Sequence, residues 1–189
     1  METIRVGRWT IEVDREATRR VQLSRGSGQP ETCDCQDDQN FVAARNVANP
    51  EAARILLDKL GLPYDRESEI GLPMELRPNV FIYNGFFHFI GRIIEAPAEW
   101  QSRTPGREVH LDTIEGDFAV AFMEPHGLIP PEFPKDVPLV HLEFSTIVPW
   151  LLDEPYTGPL LLNPPKISGL RARIHQIGSF IRSLFLSRK

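Results

Sequence analysis

The chain has 189 residues, 41% of them hydrophobic and 25% charged, with a formal net charge of -5. That composition fits one ordinary globular domain with appendages and excludes collagen-like and disordered polymers. The charge is uneven: Glu154 is the last acid, six positive residues follow it, and the rest of the chain carries 15 basic against 26 acidic residues, or -11. An acidic body with a basic tail is not the footprint of a nucleic-acid-binding domain. No apolar run approaches the roughly 20 residues of a spanning helix. The N-terminal METIRVGRWTIEVD has no apolar core for a secretory signal, so the expected location is cytoplasmic.

In chain order, Trp9, Ile11 and Val13 alternate with Thr10 and Glu12 and predict a strand. A turn near Asp14 to Glu16 leads to a second short strand, Arg19 to Leu23, and RGSGQ (Arg25 to Gln29) reads as a flexible connection. Asp37 or Asp38 is placed to cap a helix with the body FVAARNVA. Asn49-Pro50-Glu51 then restarts the chain as N-cap, first helical position and acidic first turn. The helix EAARILLDKL stops at Gly61, with Ile55, Leu56 and Leu60 as its buried stripe.

Two hairpins are expected next. In VFIYNGFFHFIG a two-residue Asn84-Gly85 turn sets Tyr83 by Phe86, Ile82 by Phe87 and Phe81 by His88. In VHLDTIEGDFAVAF a Glu115-Gly116 turn sets Thr113 by Phe118, Leu111 by Val120 and Val109 by Phe122. Pro97 to Gly106 and Glu124 to Pro138 read as loops, and Val137 to Ile147 as a further strand. The predicted fold is α+β: a largely antiparallel sheet built of hairpins, two helices inserted near the N-terminus, and a C-terminal amphipathic helix. Residues 1–154 form the domain, 155–165 a proline-rich linker and 166–189 the helix.

Three groups of residues could carry chemistry. The first is TCDCQDDQNF, where Cys33 and Cys35 stand with Asp37 and Asp38 at a helix entrance. Two thiolates and a carboxylate are a partial ligand set for zinc, needing a distant fourth donor. A thiol there also feels two opposed effects, the helix entrance lowering its pKa and the carboxylates raising it. A bridge across one intervening residue fits disulfide geometry poorly, so reduced thiols are expected. The bland alternative is a structural loop with cysteines packed as small apolar residues.

The second group pairs His110 and Asp112 with His141 and Glu143, two residues on one face of each strand. If the strands were neighbours, the four could bind a divalent metal or act as acid and base; otherwise they are a solvated face. His88, amid FFHFI, reads as a buried hydrogen-bonded residue, and His126, in EPHGL, as a loop residue.

The third group is the tail. Ile167, Leu170, Ile174, Ile177, Ile181 and Leu184 recur at helical spacing, while Arg171, Arg173 and Arg182 lie mostly off that stripe. Such a helix packs on the body, on a second copy or on a protein partner, or it lies on an anionic membrane surface.

The chain resembles an uncharacterised group of bacterial proteins with a Cys-x-Cys-x-x-Cys-x-Asn-Phe loop, a Tyr-Gly-Gly-aromatic-aromatic-His-Phe-x-Gly hairpin and a strand ending in Pro-Trp. Cys33, Cys35, Asn40 and Phe41 match the first motif, with Asp38 at the third cysteine position. Tyr83, Gly85 to Phe89 and Gly91 match the second, and Phe144 to Trp150 resembles the third. The resemblance covers about Thr32 to Glu154 and implies a shared fold without naming an activity. Three thiols would be a zinc or iron ligand set, and Asp38 breaks that set here. No nucleophile, base and orienting group can be assembled from the sequence. The features favour a non-catalytic binding or interaction module. The alternatives are a metal- or thiol-dependent protein using Cys33 and Cys35, and a peripheral membrane protein held by the tail.

Overall fold

A computed structural model of the chain describes residues 1–98 and 111–158. His110 and the whole expected C-terminal helix, with Arg171, Arg173, Ile174, Ile177, Ile181 and Arg182, lie outside the described residues. Among the described residues the fold is α+β. Strands β1 (Glu2–Val6) and β2 (Trp9–Val13) come first, then helices α1 (Arg15–Ser24), α2 (Gln36–Ala48) and α3 (Glu51–Lys59). Strands β3 (Glu69–Ile70), β4 (Met74–Arg77), β5 (Val80–Glu95), β6 (Asp112–Glu115), β7 (Phe118–Met123) and β8 (Leu139–Pro149) complete it. The eight strands form one antiparallel sheet in the order β1-β2-β5-β8-β7-β6, with β3 and β4 also on β5. No helix of the described residues is long and apolar enough to cross a membrane.

The expected Asn84-Gly85 hairpin does not form. Both residues sit inside β5, a single strand of 16 residues paired with β8 from Val80↔Pro149 to Ile90↔Leu139. Phe81, Tyr83, Phe87 and Phe89 all enter the core from one face of β5. Burying each such ring is worth about 1.5–3 kcal/mol, whereas Asn and Gly at a turn only escape the roughly 1–2 kcal/mol that other residues lose in the left-handed conformation. The buried ladder therefore wins. Gly85 serves closeness instead of turning: a Cβ there would lie 2.5 Å from Ile70 Cδ1 and 2.7 Å from Phe144 Cζ. The turn that opens β5 is Pro78-Asn79, where Asn79 takes φ 61°.

The second hairpin forms with a different register. Its turn is Gly116-Asp117, and Asp112 pairs with Val120 and Thr113 with Ala119, one residue away from the expected pairing. The register shifts between Thr113 and Glu115. This irregularity lets Ile114 pack against the core while Glu115 Oε2 accepts the Ala52 N–H at the start of α3, 2.8 Å away.

The expected strand Arg19 to Leu23 is part of α1. Asp14 caps that helix, its Oδ1 accepting the Ala17 N–H at 3.0 Å. Thr18 and Gln22, one turn apart, are buried and serve the edge of β5: Thr18 Oγ1 accepts the Ile90 N–H, and Gln22 Nε2 donates to the His88 carbonyl. Side chains here satisfy an edge that a strand would satisfy with backbone. Two helix starts move by a residue or more. Cys35, ahead of both aspartates, occupies the N-cap of α2, and Pro50, not Asn49, that of α3. Ile55 is half-exposed, and Leu57 with Ala53, Leu56 and Leu60 makes the buried face of α3.

The core joins that face of β5 to Phe118, Val120 and Phe122 of β7, Val140, Leu142 and Phe144 of β8, and Phe41 of α2. Phe118 stacks on Phe144 at 5.6 Å, and Phe41 meets Tyr83 at 5.5 Å. Alternation along β5 and β8 then turns Phe86, His88, His141 and Glu143 to the other face.

Candidate functional site

At the entrance of α2, Cys33 is half-buried and Cys35 exposed, and both are free thiols. The Cys33 and Cys35 sulfurs meet at 2.6 Å, and the Cys35 N–H donates to the Cys33 sulfur at 3.3 Å. One ligand atom from each of Cys33, Cys35 and Asp38 lies within 4.8 Å of the others. Gln29 Nε2 donates to Asp38 Oδ2 at 3.0 Å, while its own Oε1 accepts the Ile70 N–H, so the carboxylate is held against the edge of β3.

A buried polar frame positions this loop. Arg45 of α2 reaches Glu67 with Nε and Nη2 at 3.2 and 2.9 Å, and Glu31 with Nη1 at 2.6 Å. Glu67 is fully buried, and Glu31 lies in the 3-10 turn Gln29–Thr32, which ends at Cys33. Asn40, also fully buried, donates to Tyr83 Oη and the Pro149 carbonyl and accepts the Leu151 N–H. Tyr83 Oη donates to the Asp37 carbonyl, and Gln36 holds Pro155 and Thr157 of the segment that follows β8.

The opposed effects on the thiol resolve in one direction. Desolvation of the Cys35 sulfur, then the hydrogen bond its protonated form makes with Cys33, push its pKa up to about 11. The Asp38 N–H pulls the other way and loses, although the residue as a whole is exposed. Cys35 is therefore a protonated thiol at neutral pH, a weak nucleophile, and a metal that takes it as ligand must displace that proton. Asp37, expected in the ligand set, is a different kind of group. Burial holds its carboxyl above the usual range against a hydrogen bond from Tyr156, and its Oδ1 is buried without a hydrogen-bond partner among the described residues.

The expected convergence of Asp112 with His141 and Glu143 does not occur, because β7 separates β6 from β8. Asp112 instead binds Arg8, accepting its Nε at 2.9 Å and its backbone N–H at 3.1 Å. His141 and Glu143 do meet, Nε2 to Oε2 at 3.0 Å, and their companions are His126 and His88. His88, read from sequence as a hydrogen-bonded buried residue, lies between Ser68 Oγ at 3.2 Å and the His126 carbonyl at 3.1 Å. The carbonyl only accepts, so His88 carries its proton on Nε2. Burial, then the nearby His141, lower its pKa to about 4. His126 was the residue sequence reasoning missed, since a Pro-His-Gly in a loop has no periodic signal. Asn40 was legible as part of the Asn-Phe motif, whereas Arg45, buried on α2 beside Phe41, Ala44 and Ala48, carried no sequence signal of its own.

Searches against family models, curated proteins and solved structures return no match for this chain.

Proposed function

We propose that the protein is a small non-catalytic metal-binding module in which Cys33, Cys35 and Asp38 take a thiophilic divalent cation such as zinc. The observation that carries this is the approach of three donor atoms to within 4.8 Å inside a six-residue stretch that enters α2. Two thiolates and a carboxylate leave the fourth tetrahedral position to water or to a partner's donor. Gln29 on Asp38 is the kind of outer contact that orients a ligating carboxylate. The high pKa of Cys35 argues against thiol redox chemistry and makes metal uptake a proton-releasing event.

Elemental analysis of full chain purified without chelator tests this. Wild type is expected to carry zinc, and a Cys33→Ala, Cys35→Ala double variant to carry one equivalent less. Equal metal content in the two would sink the reading.

The charge distribution supports a second role for the tail. Six positive residues and no acid follow Glu154, a composition that suits an anionic membrane surface. Co-sedimentation with anionic vesicles at low salt should be seen for the full chain and not for residues 1–158. Equal behaviour of the two would remove this role.

A further inference from the structure

We propose that His126, His141 and Glu143 form a second divalent-cation site, built of imidazole and carboxylate alone, on the opposite sheet face from the core. One ligand atom from each of the three lies within 4.8 Å of the others. They come from two elements, His141 and Glu143 from β8 and His126 from the loop that leaves β7. This site is separate from the thiol loop and stands whether or not that loop binds metal.

The orientation of the rings carries the argument. His126 Nδ1 faces the Glu124 carbonyl at 3.0 Å, and His141 Nδ1 faces the His126 carbonyl at 3.3 Å. Carbonyl oxygens only accept, so both rings hold a proton on Nδ1. That is the outer-shell arrangement in which a metal-binding histidine presents Nε2 as its ligand atom. His141 Nε2 points at Glu143 Oε2 across 3.0 Å. With Nδ1 already a donor, a neutral His141 would set a lone pair against a carboxylate lone pair. A divalent cation between them would satisfy both. His126 stacks on His141 with centroids 3.9 Å apart and ring planes 17° from parallel, so a second imidazole lies alongside and has to tilt off the stack for both Nε2 atoms to reach one ion.

The loop that supplies His126 is pinned. The His126 carbonyl accepts from His141 and from His88, whose ring is in turn held by Ser68. Gly127 takes φ 72°, and a Cβ there would come within 3.0 Å of the Phe86 ring, so the loop lies close on that ring. His126 is exposed and Glu143 partly so, which leaves room for water to complete a coordination shell. Two imidazoles and one carboxylate suit a first-row divalent cation and, unlike the thiol loop, need no thiolate.

The test uses the full chain in a Cys33→Ser, Cys35→Ser background, titrated with Zn2+ by calorimetry. One equivalent is expected to bind, and His126→Ala and Glu143→Gln added separately should each lower the affinity by at least about tenfold, as loss of a ligand does at least as much as loss of an outer contact. Imidazole 15N spectra should show Zn2+ moving Nε2 of His126 and His141 and leaving His88 in place. Absence of binding in the thiol-free background, unchanged affinity in His126→Ala, or a shift at His88 instead would overturn the proposal. A thiol-free variant that binds normally while the Cys33→Ala, Cys35→Ala variant loses no metal would overturn the thiol loop and leave this site standing.

Discussion

The thiol loop and the histidine face are both clusters of metal-binding side chains, yet they are built in opposite ways. Cys33, Cys35 and Asp38 are close because they are close in the chain, and the tertiary structure only frames them. His126, His141 and Glu143 are brought together by the path of the loop between β7 and β8. The frame of the first is charged and buried; that of the second is hydrogen-bonded rings against backbone carbonyls. A local cluster can be lost by loosening its frame. A nonlocal one needs the sheet itself to shift.

The largest expected effect falls on the thiol frame. Glu67→Ala leaves Arg45 charged and largely buried without its main partner, which should cost about 3–5 kcal/mol in urea unfolding. Metal uptake by the thiol loop should fall with it, while the histidine face, which shares no residue with Arg45, keeps its ligands in the folded fraction.

Acid should act on the histidine face. The unfolded chain protonates His88 near pH 6.5 and the folded one only near 4. Between those values the unfolded state holds more protons, so this contribution is complete above pH 6.5 and is lost as pH falls toward 4, on the order of 3 kcal/mol in all. Denaturation curves across that window should show the slope in wild type and a flatter one in His88→Gln. Equal slopes would show that His88 is not the group responsible.

Gly85 lies on the core side of β5. Gly85→Ala drives a methyl toward Ile70 and Phe144 and should lower stability by about 1–3 kcal/mol through overpacking. A neutral result would mean that β5 tolerates a side chain there and that the close approach is not needed.

The finest comparison is in proton release. Because Cys35 holds its proton until about pH 11, zinc affinity at the thiol loop should rise about tenfold per pH unit for each thiol proton displaced, through neutral pH and above. Binding at the histidine face displaces no thiol proton, so Zn2+ titrations at three pH values in the two single-site backgrounds should give different slopes.

Much of the fold was legible because the relevant signals are local. Trp9, Ile11 and Val13 alternate, and they are buried in β2 as their spacing requires. The strand ending in Pro149 follows the apolar alternation of Val140, Leu142 and Phe144. Local signals failed where tertiary burial outweighed them. Asn84-Gly85 carries the strongest short-range turn signal in the chain, yet aromatic burial on β5 overrides it. Arg19 to Leu23 contains too few apolar residues to mark a helix, and only the open edge of β5 explains why Thr18 and Gln22 are buried on one.

What the amino-acid sequence determined alone was the presence of an acidic thiol loop at a helix entrance and an antiparallel β-rich body, because neighbours in the chain and two-residue periodicity need no partner to be read. What the tertiary structure decided was strand order. By placing β7 between β6 and β8 it separates Asp112 from His141, and by laying the loop after β7 across His88 it gives His141 and Glu143 the company of His126. Register and strand order depend on which buried surfaces meet, and that is a property of the whole chain at once.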